Sequence, residues 1–310
     1  MAEPGRIPRR DWRTETPTLA LIVAVYALWL WGTSGLWAAY PLLGWLLTMV
    51  SIAQFSSLQH EALHGHPFRS RLANEALVFA GLTLFVPYRR FRDTHIAHHD
   101  DPRLTDPYDD PESNYLDPEA WTRLSRSLRR LLRANNTLLG RILLGPAIST
   151  VVFVRTDLRM IRRGPREAAR RVARAWALHG LGVALVLGWL WLGGAMPLWA
   201  YVLAAYGAFG LLKIRTFLEH RAEEAVPERT VIVEDRGPLA LLFLFNNLHA
   251  VHHLYPGVAW HRLPRLYAEG RERFLAQNGG YVYRSYAQIF RRHLLRAKDP
   301  VPHPRYRRGR

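Results

Sequence analysis

The sequence predicts an all-α integral membrane protein, with four transmembrane helices in two hairpins and a cytosolic helical cap that carries clustered histidines. Three observations lead there. No Asp, Glu, Lys or Arg occurs from Thr16 to Gln59, and none from Ala175 to Leu212. Eight of the fourteen histidines fall into three tight clusters, each beside an apolar stretch: His60 and His64; His95, His98 and His99; His249, His252 and His253. The formal net charge of +17 is almost wholly arginine, and the arginines avoid both apolar runs.

Each uncharged run is about twice the ~20 helical residues that cross a ~30 Å hydrocarbon core, so each reads as two spans and a tight turn. The spans fall at about 18–34, 36–56, 176–193 and 197–213, with Gly32 to Gly35 and then Gly193, Gly194 and Pro197 supplying the turns. The first run continues directly into a second span and is not a cleavable signal. Both turns lack basic residues, whereas Arg6, Arg9, Arg10 and Arg13 precede the first hairpin and arginines crowd 69–174 and 262–310. The positive-inside rule places both termini and the long middle segment in the cytoplasm. All three histidine clusters land on that same face, as ligands of one site must.

The remaining elements follow in order. Residues 1–16 read as a loose basic lead and 17–265 as the membrane domain. The apolar run 73–87 is too short to span and reads as re-entrant or interfacial. Residues 100–119, with four Asp-Pro steps, form an acidic loop that is either a solvated turn or a source of hydrogen bonds to ligand imidazoles. Apolar positions spaced helically among arginines over 121–144 predict one basic amphipathic helix, lying on the membrane or on the cap. Leu239 to Phe245 leads into the third cluster, 266–298 form C-terminal cytosolic helices around Gly279 and Gly280, and 299–310 make a loose basic tail.

The histidine spacing carries the chemistry. Positions i, i+3 and i+4 share a helix face, so His60 and His64 can reach one ion, and His-x2-His-His presents three imidazoles from about one turn. Neutral imidazole suits Fe, Zn, Cu and Ni. Four nitrogens close one tetrahedral zinc; eight suit two ions with room for O2 or water. His220, just past the fourth span, is a candidate ninth ligand. His66 falls off the His60 face, His179 reads as a packed or helix-bridging residue, and His261, His293 and His303 read as solvated surface. Glu61, Asp93 and Glu219 adjoin the clusters and are either candidates to orient ligands or ordinary exposed carboxylates.

Other classes fit less well. His60-Glu61-x-x-His64 also matches the zinc-protease pattern with Glu61 as general base, but five clustered histidines then have no role. A transporter needs polar residues at mid-membrane, which the apolar runs lack. No base-stacking or recognition motif supports nucleic acid as a partner; anionic headgroups and an acidic electron donor suit the charge better. With no cysteine, the chain holds neither a disulfide nor an iron–sulfur cluster of its own.

The motifs HEALHGH (60–66), HIAHH (95–99) and NLHAVHH (247–253), set between two hairpins, resemble the three-histidine-box integral-membrane fatty acid desaturase superfamily. LYPGVAWHRLP (254–264) and RTFLEHRA (215–222) resemble bacterial members, which implies the bacterial inner membrane, and the resemblance covers about 20–265. It implies two non-heme irons held by His60, His64, His95, His98, His99, His249, His252 and His253, with His220 added because a histidine before the third box often ligates. It also implies O2 as co-substrate, a ferredoxin or cytochrome b5-like donor, and desaturation of a fatty acyl chain. Carotenoid or terpenoid ketolation and alkane-type hydroxylation occur in the same superfamily, and box spacing does not separate them.

Overall fold

The computed structural model describes residues 12–306 apart from Pro102. The expected lead at 1–16 lies mostly outside the described residues. Helix α1 (Trp12–Thr33) runs into the short α2 (Gly35–Ala39), and α3 (Pro41–Leu63) starts at a proline, which is at home in a first helical turn. Both α1 and α3 are apolar on all sides, as buried or lipid-facing helices are. They pack along each other, with Gly32 and Gly44 at the crossing. Among the described residues, three helical segments are long and apolar enough to cross a membrane: Glu15–Ala39, Pro41–Leu63 and Arg166–Leu192.

After α3 come α4 (Arg71–Leu77) and α5 (Tyr88–Asp100). Between them, 78–87 is irregular yet buried at Val78 and Leu82. Irregular backbone in an apolar bundle needs partners for its carbonyls. Here Tyr26 donates to Leu77 O, Gln59 to Val78 O, Tyr201 to Leu82 O, and the His179 ring bonds Leu84 O. The short apolar run is therefore a half-helix followed by chain threaded among the long helices. His179 has the bridging role expected of it. The thread also requires glycine: a Cβ on Gly81 would lie 2.7 Å from Val183 N, and one on Gly182 2.5 Å from Phe79 O.

The single helix expected over 121–144 is three: α6 (Pro118–Arg123), α7 (Arg126–Asn135) and α8 (Leu138–Leu143). Each has its own N-cap, with Asp117, Ser125 and Thr137 accepting from Glu119, Leu128 and Gly140 N–H groups. A capping side chain competes with helix continuation, which is why the periodicity alone misled. Next, α9 (Gly145–Arg163) packs against α10 (Arg166–Leu192). Helix α11 (Leu198–Thr216) is 19 residues long, carries Lys213 and Arg215 in its last turn, and packs on α3 and α8.

The C-terminal part of the chain contains β1 (Ile232–Val233), α12 (Pro238–Leu242), α13 (His249–Leu254), α14 (Leu263–Gln277), β2 (Val282–Tyr283) and α15 (Tyr286–His293). β1 pairs in parallel with β2, Ile232 opposite Val282. The tail is a correction. Val301 O accepts from Leu116 N, Leu116 O accepts from His303 N, and the buried His303 ring bonds Thr105 Oγ1. The chain is thus fastened to the acidic loop as far as Tyr306, and His303 is not solvated surface.

Candidate metal centre

Four parts of the chain deliver the histidines. α3 ends in His60 and then His64 at its C-cap. α5 presents His95, His98 and His99 in its last two turns, and α13 presents His249, His252 and His253. His220 follows α11 in an isolated antiparallel bridge with Thr230. The third cluster is held by β1: Val233 N donates to Asn247 O, Ala250 N to Val231 O, and Asn247 Nδ2 to Val233 O. Just before it, Leu244 and Phe245 both adopt left-handed φ angles of 51° and 54°, unusual for such side chains. Leu244 is buried and Phe245 stacks on Trp260, so packing holds this turn.

All nine expected histidines converge, in two groups. His60, His64, His95, His99 and His252 form one; His98, His220, His249 and His253 form the other; within each, the ligand atoms lie within 4.8 Å of one another. The groups share a wall where the His99 and His253 rings stack at 4.1 Å. Facing Nε2 atoms are close: His98 to His220 2.9 Å, His95 to His99 3.0 Å, and His99 to His252, His220 to His249 and His249 to His253 each 3.2 Å. Two nitrogens bound at ~2.1 Å to one ion lie ~3.0 Å apart at right angles and ~3.4 Å apart at the tetrahedral angle.

The protons point the other way. His95 Nδ1–H donates to Glu112 Oε1 at 3.0 Å, His98 Nδ1–H to Asp110 Oδ1 at 2.7 Å, and His249 Nδ1–H to Asn246 Oδ1 at 3.0 Å. An oxygen that can only accept fixes the tautomer of a neutral ring, so in that form the Nε2 atoms of these rings face inward as lone pairs. Convergent lone pairs buried from water repel one another unless a cation sits among them. The donor set fits metal ions.

Burial, then the neighbouring rings His95 and His99, pulls the His64 pKa down to about 2. Burial and His95 take His99 to about 3. His220, His249, His252 and His253 are likewise held well below the usual imidazole range by burial first and by each other second. These rings are neutral, the form that binds metal. His98 is the exception: burial disfavours its charge, but Asp110 and Glu112 outweigh that and push it up to about 9.

The residues flanking the clusters divide. Glu219 lies 3.8 Å from His249 Nδ1 and pairs with Arg215 at 2.9 Å. Glu61 accepts from Trp260 N at 3.1 Å, tying the first cluster to the segment after the third. Asp93 pairs with Arg92 at 2.8 Å, as an ordinary surface carboxylate does. His66 stays outside both groups, bonded to Glu15 at 3.0 Å and to Gly257 O at 3.2 Å. Asn246 was missed: its amide faces His60 Nε2 at 3.4 Å while its carbonyl holds His249, so one side chain touches both groups. Its place beside the third cluster was the available signal.

A cavity of about 560 Å³ reaches this centre. His220, Glu112 and Glu219 line its inner end, and Phe85, Val86, Val152, Phe153, Phe209 and Leu212 line much of the rest.

Membrane-length apolar helices and nine converging, buried or half-buried imidazoles beside a cavity make this a membrane protein whose histidine groups could hold metal ions. The fatty acid desaturase family model matches residues 35–286, and the chain belongs to that family. It is also similar to the beta-carotene ketolase of Paracoccus sp. (strain N81106 / MBIC 01143), 29% identical over 265 residues, covering 81% of this chain and 88% of that protein. Both relationships make it a membrane oxidoreductase of the desaturase and oxygenase superfamily.

Proposed function

We propose that this protein is an O2-dependent enzyme that introduces a double bond into a fatty acyl chain, using two non-heme irons. His60, His64, His95, His99 and His252 hold one; His98, His220, His249 and His253 hold the other. The observation that carries the reading is the division of nine imidazoles, five buried and four half-buried, into two groups with metal-ligand nitrogen spacing. Iron supplies the O2 chemistry that no side chain here offers for an unactivated C–H bond. The chain's own residues do the rest. Glu112, Asp110 and Asn246 orient ligand rings, and the cavity, in the ~300–1,000 Å³ range of small-molecule sites, excludes water and aligns one hydrocarbon chain.

In this reading α1, α3, α10 and α11 are four spans of the bacterial inner membrane, and the histidines lie on the cytoplasmic side with both termini. Reducing equivalents come from a ferredoxin or cytochrome b5-like donor, since the chain has no cysteine for a cluster of its own. The ketolase relative favours a second reading, oxygenation of a carotenoid or terpenoid. The protease alternative weakens, because Glu61 is committed to Trp260 N.

Expression in a host of defined lipids, followed by mass spectrometry of total fatty acids and pigments, separates the readings. New unsaturation in fatty acids is expected. A new keto- or hydroxycarotenoid with unchanged fatty acids would overturn the acyl reading in favour of the second.

A further inference from the structure

His220 is held differently from the other eight imidazoles. Those sit on α3, α5 and α13 or at the C-cap of α3, whereas His220 follows α11 in an isolated bridge. Its ring also lacks a brace. Within its group, Asp110 and Asn246 hold Nδ1 of His98 and His249, but His220 Nδ1 is buried with no hydrogen-bond partner among the described residues. A metal-ligating histidine is normally oriented through its second ring nitrogen. The placement of His220 must therefore come from its backbone.

That backbone is fastened by the end of the chain. The bridge bonds flank His220: Val231 N donates to Glu219 O at 3.0 Å, and Arg221 N to Arg229 O at 2.8 Å. In an antiparallel pair, a residue between such bonds turns its own polar groups away from its partner. The His220 carbonyl thus needs another donor, and Lys298 Nζ is that donor. The Lys298 side chain is 8% exposed and its ammonium lies 3.5 Å from Asp299 Oδ2. A buried cation is tolerated when it is paired and hydrogen-bonded, and here it is both.

The neighbours of Lys298 are fixed in turn. Its backbone N–H donates to Asn136 O at 3.3 Å, and Asn136 Nδ2 donates to Asp299 O. Asp299 Oδ2 accepts from Tyr115 Oη at 2.5 Å, and Tyr115 Oη accepts from Ala222 N at 3.0 Å. Farther on, Arg305 pairs with Glu223 at 3.0 Å. The His303 ring meets Thr105, whose N–H donates to Asp110, the brace of His98. The grip falls on two ligands of the four-membered group.

We infer that Lys298 is the positioning residue for His220, and that the segment 298–305 is the strap through which it acts. The strap fixes a loop ligand before any ion arrives, so binding does not have to order it. The inference goes beyond the proposed reaction and rests on its division of nine imidazoles between two irons.

The test uses the full chain purified in neutral detergent, with iron counted by elemental analysis and affinity read by chelator competition. Lys298→Met keeps the stem and removes the donor. It should weaken one of the two irons by about 10–100-fold and leave the other unchanged. In a His220→Ala background the same substitution should add nothing, because Lys298 acts through that ring. Loosening of both irons, a further loss in the His220→Ala background, or wild-type affinity in Lys298→Met would each overturn the inference. Hydrogen exchange of the metal-free wild-type chain needs no variant. The Arg221 and Ala222 amides should exchange at least about a hundredfold more slowly than in a free peptide, and unprotected amides there would overturn the inference as well. The wild-type iron count tests the metal reading separately, so the two failures are distinguishable.

Discussion

The two histidine groups differ in ways that a shared motif family would not suggest. The five-membered group takes all its members from the three clusters, and the half-buried Glu112 braces its His95. The four-membered group recruits His220 from outside the clusters and is braced by Asp110 on His98, by Asn246 on His249, and by Glu219 nearby. His220 also lines the cavity. Fewer nitrogens leave more open coordination positions, and catalytic metal sites keep such positions while structural sites close them. The four-membered group, opening on the cavity, is accordingly the one suited to face substrate, and the five-membered group the one suited to steady its partner.

The strongest way to break that contrast is to remove a carboxylate-braced ligand of the four-membered group. His98→Ala should cost the iron of its group and lower turnover by about a thousandfold or more, beyond the 10–100-fold typical of outer-sphere partners. The protein should remain membrane-inserted. Elemental analysis with product quantification reads both, and retained turnover would count heavily against the assignment. The contrast sharpens with a paired substitution. His220→Ala leaves three nitrogens and should drop iron from about two to about one per chain, whereas His64→Ala leaves four and should keep nearly two. Equal losses would mean that the groups are not distinct.

A smaller effect separates the bracing residues. Asp110→Asn should weaken iron binding by about 10–100-fold in chelator competition, because the buried carboxylate orients His98. Glu112→Gln should cost less, since that side chain is 30% exposed and water can replace it. The smallest change concerns the frame. Glu61→Ala strands the buried Trp260 N–H and should destabilise the protein by about 1–3 kcal/mol in thermal unfolding, with iron still bound. Loss of a proteolytic activity on the same substitution would instead revive the zinc-protease reading.

Much of this was legible in the chain itself. Uncharged runs located α1, α3, α10 and α11, because a hydrocarbon core admits few charges, but not α9, whose arginines hid it. Eight histidines were nameable, because i, i+3 and i+4 spacing is a local property of a helix. His220 was recoverable through its position after an apolar span and the resemblance of its surroundings, and it completes the smaller group. What stayed hidden depends on contacts distant in sequence. Nothing local says that Asp110 and Glu112, rather than Asp93, turn toward imidazoles. Nor does it say that Asn246 lies between the groups, or that Tyr26, Gln59, His179 and Tyr201 satisfy the carbonyls of 77–84. The approach of Lys213 to Arg141 over Gly145 joins two segments far apart in sequence. The break of 121–144 into three helices was readable in principle, from Ser125 and Thr137 as N-caps, but the stronger apolar period obscured it.

The most direct measurement is the metal content of the protein purified from membranes, by elemental analysis against protein mass. Two iron atoms per chain is the expected value. A single zinc, or no bound transition metal in a folded and membrane-inserted chain, would contradict the account at its root.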